Sequence, residues 1–67
     1  MKITLNNRPE EIDKEKITVS ELLILKNFTF KLLVIKINGN LIKKSAYNST
    51  EILDGDDVAV IHLVSGG

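Results

Sequence analysis

The chain has 67 residues, with nine Lys plus Arg against nine Asp plus Glu, a single His and no Cys. That length allows one small domain, which buries only about 60% of the surface its unfolded chain exposes and leaves little room for an internal substrate pocket. The missing cysteine excludes a disulfide framework, a thiolate metal site and a thiol nucleophile, and a formal net charge of zero argues against a nucleic-acid partner.

Lys43-Lys44 is too short to serve as a basic footprint. No apolar run approaches the roughly 20 residues needed to span a bilayer, and the first residues lack the regions of a signal peptide. The cytosol is the expected location.

Met1-Lys2-Ile3-Thr4-Leu5-Asn6 alternates apolar with polar residues, the period of a half-buried strand. Asn6-Asn7-Arg8-Pro9 follows as a turn, predicting a hairpin into a weaker strand over residues 10–13. Thr18-Val19-Ser20-Glu21 has capping-box spacing and starts a helix. Val19, Leu22, Leu23 and Leu25 or Lys26 supply its apolar side, and Asn27 ends it before Phe28 and Phe30 fold back as plugs.

Leu32-Leu33-Val34-Ile35-Lys36-Ile37 is almost continuously apolar and rich in branched residues, as a central strand requires. Asn38-Gly39 is a strong hairpin signal, because a type I′ turn needs φ > 0 at both central positions. The returning strand is expected over residues 40–44. Residues 45–50 read as an irregular connection pinned to the core edge by Tyr47. Asp54-Gly55-Asp56 is a turn, without the further acidic ligands a calcium loop needs, and the last strand is expected over residues 57–64.

One helix covers one side of such a sheet. On the last strand Val58, Val60 and Val64 share a face with His62, whereas Ala59, Ile61 and Leu63 point the other way. Val34 alternates out of phase with Leu33, Ile35 and Ile37, which assigns it to the same outer face. An apolar patch there, rimmed by Lys2, Thr4 and Lys36, is expected to bind another protein or a second copy of the chain.

No constellation supports catalysis by the chain itself. His62 has no second histidine to pair with, so it reads as a strand residue, and no metal site is expected. None of the glycines lies between a strand and a helix N-terminus, so nothing cradles a phosphate, and ATP would be handled by a partner. Val64-Ser65-Gly66-Gly67 instead presents a carboxylate on a thin stalk: two glycines without Cβ atoms can pass a channel too narrow for side chains. The same ending is also compatible with an ordinary frayed terminus.

Taken together, these residues resemble the ThiS/MoaD family of ubiquitin-like β-grasp sulfur carriers, and more closely its ThiS branch. The resemblance runs over essentially the whole chain. It rests on Met1-Lys2-Ile3, Thr18-Val19-Ser20-Glu21-Leu22-Leu23, Ile37-Asn38-Gly39, Lys44-Ser45-Ala46-Tyr47, Thr50, Leu53-Asp54-Gly55-Asp56, Val58 and Val64-Ser65-Gly66-Gly67.

It implies an α+β, ubiquitin-like β-grasp fold, a mixed four- to five-stranded sheet on one main helix, with the domain over residues 1–64 and a flexible tail over 65–67. It further implies a protein co-substrate and not an enzyme. The Gly67 carboxylate would be adenylated by a ThiF/MoeB-type adenylyltransferase that uses ATP, then converted to a thiocarboxylate with sulfur from a cysteine-desulfurase system. A ThiG-like thiazole synthase of thiamine biosynthesis would take that sulfur. Gly66 and Ser65 would thread the tail, Val34, Ala59, Ile61 and Leu63 would form the partner-binding face, and the chain would bind no cofactor, nucleic acid or membrane. Two alternatives stay open: a MoaD-like carrier for molybdopterin or another sulfur-transfer pathway, and a non-reactive ubiquitin-like binding module.

Overall fold

Alternation decides the first strand. In a computed structural model, which describes residues 1–29 and 31–63, β1 (Lys2–Leu5) buries Ile3 and Leu5 and turns Lys2 and Thr4 outward. Asn6 and Asn7 both take positive φ, 51° and 65°, and so form a two-residue turn of the I′ kind, whose twist matches the flanking strands. The return strand β2 therefore starts at once and spans Arg8–Glu11, two residues earlier than the expected 10–13. Pro9 is accommodated in it because β2 lies at the sheet edge, where no further strand needs its N–H.

The helix α1 (Val19–Leu25) begins as its capping box dictates. The Glu21 N–H donates to Thr18 Oγ1 at 3.1 Å, and the Thr18 N–H donates to the Glu21 carboxylate at 2.9 Å. At the other end Asn27 sits at φ 57°. The Asn27 N–H donates to Ile24 O at 3.1 Å and the Phe28 N–H to Leu23 O at 2.8 Å, the paired bonds of a Schellman stop. Val19 and Leu22 are fully buried and Leu23 packs beside them. Lys26, not Leu25, completes this stripe: Leu25 is exposed, whereas half-buried Lys26 pairs with Glu10 at 3.0 Å. Phe28 folds back onto the core as expected; Phe30 lies outside the described residues.

Glu21 has its pKa lowered, first by the backbone hydrogen bond from Thr18 and next by the Thr18 side chain. Its folded pKa thus lies below the unfolded one, so its contribution is complete above the unfolded pKa and is lost as pH falls toward the folded value. Urea melts from about pH 6 down to about pH 3 are expected to show a larger acid loss in the wild type than in Glu21→Gln, whose uncharged amide still caps. Parallel curves would remove this role.

β4 (Leu33–Ile37) and β5 (Asn40–Ile42) form the second hairpin, and β7 (Asp57–His62) lies between β1 and β4. The five-stranded order is β2-β1-β7-β4-β5, with β1 and β7 parallel and the other pairs antiparallel. β5 and β7 end sooner than expected, at Ile42 and His62. The inward residues Ile35 and Ile37 of β4 and Val58 of β7 meet Ile3, Leu5, Val19 and Leu22 in one core.

Asn38 does more than shape its turn. With φ at 52° it occupies the left-handed region, its amide donates to Asp56 Oδ1 at 3.0 Å, and its Oδ1 accepts from the Asp57 N–H at 2.9 Å. Asn38→Ala is expected to cost about 2 kcal/mol or more, from strain plus two lost hydrogen bonds. Asn38→Gly, free of the strain, should cost less in urea denaturation. Equal losses would show that the side-chain bonds alone matter.

Two strands were not expected from the sequence. β3 (Lys16–Thr18) and β6 (Glu51–Leu53) pair as a separate two-stranded sheet, with Ile17 opposite Ile52, both buried. The connection over 45–50 is also more ordered than an irregular loop. It opens with a 3-10 turn at Lys44–Ala46, and its Tyr47 and Thr50 carbonyls accept from the Ser20 and Val19 N–H groups at 3.0 Å. These bonds satisfy donors that a helix start leaves without intrahelical partners. Tyr47 packs against the core margin.

Candidate partner-binding face

Register, not proximity, defines the uncovered side of the sheet. Residues directly opposite in paired strands share a face, and β4 pairs with β7 so that Val34 faces Ile61 and Lys36 faces Ala59. The alternate pairs Ile35 with Val60 and Ile37 with Val58 point to the core. Val34 and Ala59 are half-buried, and Ile61 and Leu63 are exposed at 43% and 47%. Three of the four residues expected on the outer face, Val34, Ala59 and Ile61, are thus brought together, and Leu63 follows the end of β7.

Two features of this face differ from the sequence reading. The β4–β5 register sets Leu41 opposite Lys36, which adds a leucine exposed at 62% to the same surface. Counting outward from the Asn38-Gly39 turn would have found it, since a two-residue hairpin fixes which side each partner takes. Lys36 is consequently no rim residue: it stands between Ala59 on one neighbour and Leu41 on the other. Lys2 and Thr4, on β1, do lie beyond β7 toward the polar margin.

His62 lies opposite Leu33 at the exposed end of β7. Among the described residues no group of three or more His, Cys, Asp or Glu side chains could hold a metal ion, and no helix is long and apolar enough to cross a membrane. Ser65, Gly66 and Gly67, expected to thread and react, lie outside the described residues, as does Val64. The described strand nevertheless leads toward them: Leu63 follows β7, and its N–H donates to Leu32 O at 2.9 Å.

One helix on a mixed sheet of this order defines a β-grasp domain of the ubiquitin-like kind. Comparison with known proteins narrows the class. The sequence profile of the ThiS family matches residues 3–67. The sulfur carrier protein ThiS of Bacillus subtilis (strain 168) is 28% identical over 65 residues, covering 97% of this chain and 98% of that one. The crystal structure of the thiamine biosynthesis protein ThiS from Geobacter metallireducens superposes with a TM-score of 0.87 at 32% identity, covering all of both chains. An NMR structure of a thiamine biosynthesis protein from the same organism gives 0.78 at 32% identity, covering 100% of this chain and 88% of that one. The chain belongs to the ThiS family of ubiquitin-like sulfur carrier proteins, and it is a carrier and not an enzyme.

Proposed function

We propose that the chain carries sulfur as a thiocarboxylate on Gly67 and donates it to thiazole formation in thiamine biosynthesis. A carboxylate is a poor electrophile, so the Gly67 carboxylate first becomes an acyl-adenylate: one oxygen attacks the α-phosphorus of ATP and pyrophosphate leaves. The outer sulfur of a persulfide delivered from a cysteine-desulfurase system then attacks the acyl carbon and displaces AMP. A thiol cleaves the resulting acyl disulfide at its S–S bond, leaving as a new disulfide, and the freed thiocarboxylate gives its sulfur to a ThiG-like thiazole synthase. A ThiF/MoeB-type adenylyltransferase binds the ATP and performs the activation.

The observation that carries this reading is the combination of family membership with an apolar face beside the strand that leads to the tail. Val34, Leu41, Ala59, Ile61 and Leu63 supply affinity for a partner, and Ser65 and Gly66 pass the chain end to its nucleotide site. The absence of cysteine fits a carrier whose sulfur rides on the main-chain carboxyl. A cytoplasmic location accords with partners that consume ATP.

The test is intact-protein mass before and after incubation with ATP, a sulfur source and the adenylyltransferase. A gain matching exchange of one oxygen for sulfur is expected for the wild type. Ile61→Asp is expected to weaken the complex roughly tenfold or more, because it sets a charge where the partner would exclude water. Its circular dichroism should be unchanged, Ile61 being outside the core. No gain with an adenylyltransferase active on its own carrier would leave the non-reactive binding module as the reading.

A further inference from the structure

The zero net charge of the chain hides a strong separation. Residues 22–50 hold five lysines, Lys26, Lys31, Lys36, Lys43 and Lys44, and no carboxylate, whereas the remaining residues hold all nine acidic groups and four basic ones. Lys26 is paired with Glu10. The other four have no ion-pair partner among the described residues.

Folding gathers three of them at one place. An open groove of about 660 Å³ runs along the end of the sheet where β7 gives way to the tail, and Lys31, Lys43 and Lys44 line it. Its apolar lining includes Leu32, Leu33, Ile42, Tyr47 and Leu63, and it contains no Asp or Glu. Val34 and Leu41 belong both to this groove and to the outer face, so a protein seated on the face also overlies the groove. Glu10 and Glu11, on β2, lie at the opposite edge of the sheet from β5. With four strand-to-strand spacings of about 4.8 Å between those edges, these two carboxylates are about two Debye lengths from the β5 edge at physiological salt and do not screen its lysines from an approaching partner.

We infer that this lysine-lined groove receives an acidic segment of the protein that acts on the tail, with a large apolar side chain of that segment entering between Leu32 and Tyr47. The inference rests on the carrier reading given above. The groove is partly open to solvent, which suits a protein segment better than a small ligand, since a small ligand needs most of its surface enclosed. The lysine heads stay at the wet margin, where charge complementarity acts mainly on the association rate and on salt dependence. The apolar lining sets the dissociation rate.

The experiment measures association of the chain with the adenylyltransferase by stopped-flow across a salt series, for the wild type, for Lys31→Glu/Lys43→Glu/Lys44→Glu, for the matching triple Lys→Gln variant, and for Leu32→Ala. The reversed triple is expected to associate at least about tenfold more slowly at low salt, to converge on the wild type near 1 M salt, and to flatten or invert the salt slope. The glutamine triple should fall between, with the same final mass gain at saturating carrier; Leu32→Ala should raise the dissociation rate and leave the salt slope alone. A wild type that binds and gains sulfur while both triples match it at low salt would overturn the groove inference alone, leaving the lysines as guards of the β5 edge against strand pairing. A wild type that neither binds nor gains sulfur would overturn the carrier reading and this inference with it.

Discussion

Replacing Gly67 by alanine is expected to cut formation of the thiocarboxylate by about a hundredfold or more, and deletion of Gly66 and Gly67 to abolish it. On the proposed route the atom that reacts first is a Gly67 carboxylate oxygen, which must come in line with the α-phosphorus of a nucleotide held by the adenylyltransferase. A methyl group at the last Cα competes for the space that the narrow path leaves, and a displacement on the order of 1 Å at a reacting centre costs about two orders of magnitude. On the same proposal, glycine at the preceding position would serve the approach in a second way, because glycine can take backbone conformations closed to other residues. Among the described residues the buried core lies within residues 3–58, so the melting temperature of both variants should match the wild type. Intact mass read beside the melting curve separates the two effects. Normal sulfur loading by Gly67→Ala would sink the threading argument, and loading of the deleted chain would place the sulfur elsewhere.

The second large effect belongs to the core. Leu22 has no exposed surface and lies in the cluster with Val19, Ile35, Ile52 and Val58. Truncating a fully buried leucine loses its transfer free energy and leaves a cavity, together about 2–5 kcal/mol. A domain of this size has a total stability of only about 3–10 kcal/mol. Leu22→Ala is therefore expected to lower the melting temperature by about 10 °C or more and to leave a measurable unfolded fraction at ambient temperature. Ile24, two residues along the same helix, is 80% exposed, and Ile24→Ala should change stability by less than about 0.5 kcal/mol. Similar melting curves for the two variants would contradict the orientation of α1.

The contrast between Leu22 and Ile24 was readable in advance, because the 3.6-residue period puts Val19, Leu22 and Leu23 on one side; it left the choice between Leu25 and Lys26 to the fold. Thr18 and Glu21 likewise announced the helix start through chemistry contained in four consecutive residues. The outer face followed from period-two alternation in β4 and β7, which separates Val34 from Ile35 and Ala59 from Val60 without reference to the rest of the chain. β3 and β6 were not legible. Each contributes one buried residue, Ile17 or Ile52, and three residues carry no periodicity to detect. Their pairing also joins positions about 35 apart in the chain, and no local rule selects such a partner. Arg8 and Pro9 were assigned to a turn because turn-forming residues cluster there; Asn6 and Asn7 alone complete it, and only the neighbouring strand shows that β2 is an edge able to hold proline.

By itself, then, the amino-acid order determined what depends on local geometry and composition. It set the capped helix, the tight Asn38-Gly39 hairpin, the absence of thiol chemistry, the two-faced character of the last strand and, through ordered motifs over the whole length, the family. The tertiary structure decided what depends on which distant segments meet. It placed Leu41 beside Lys36 and Ala59, closed the core with the Ile17–Ile52 pair, and gathered Lys31, Lys43 and Lys44 around one groove at the root of the tail. Register between strands is fixed by hydrogen bonds and by burial across the whole sheet, so the composition of a surface built from several strands becomes defined only when they pair.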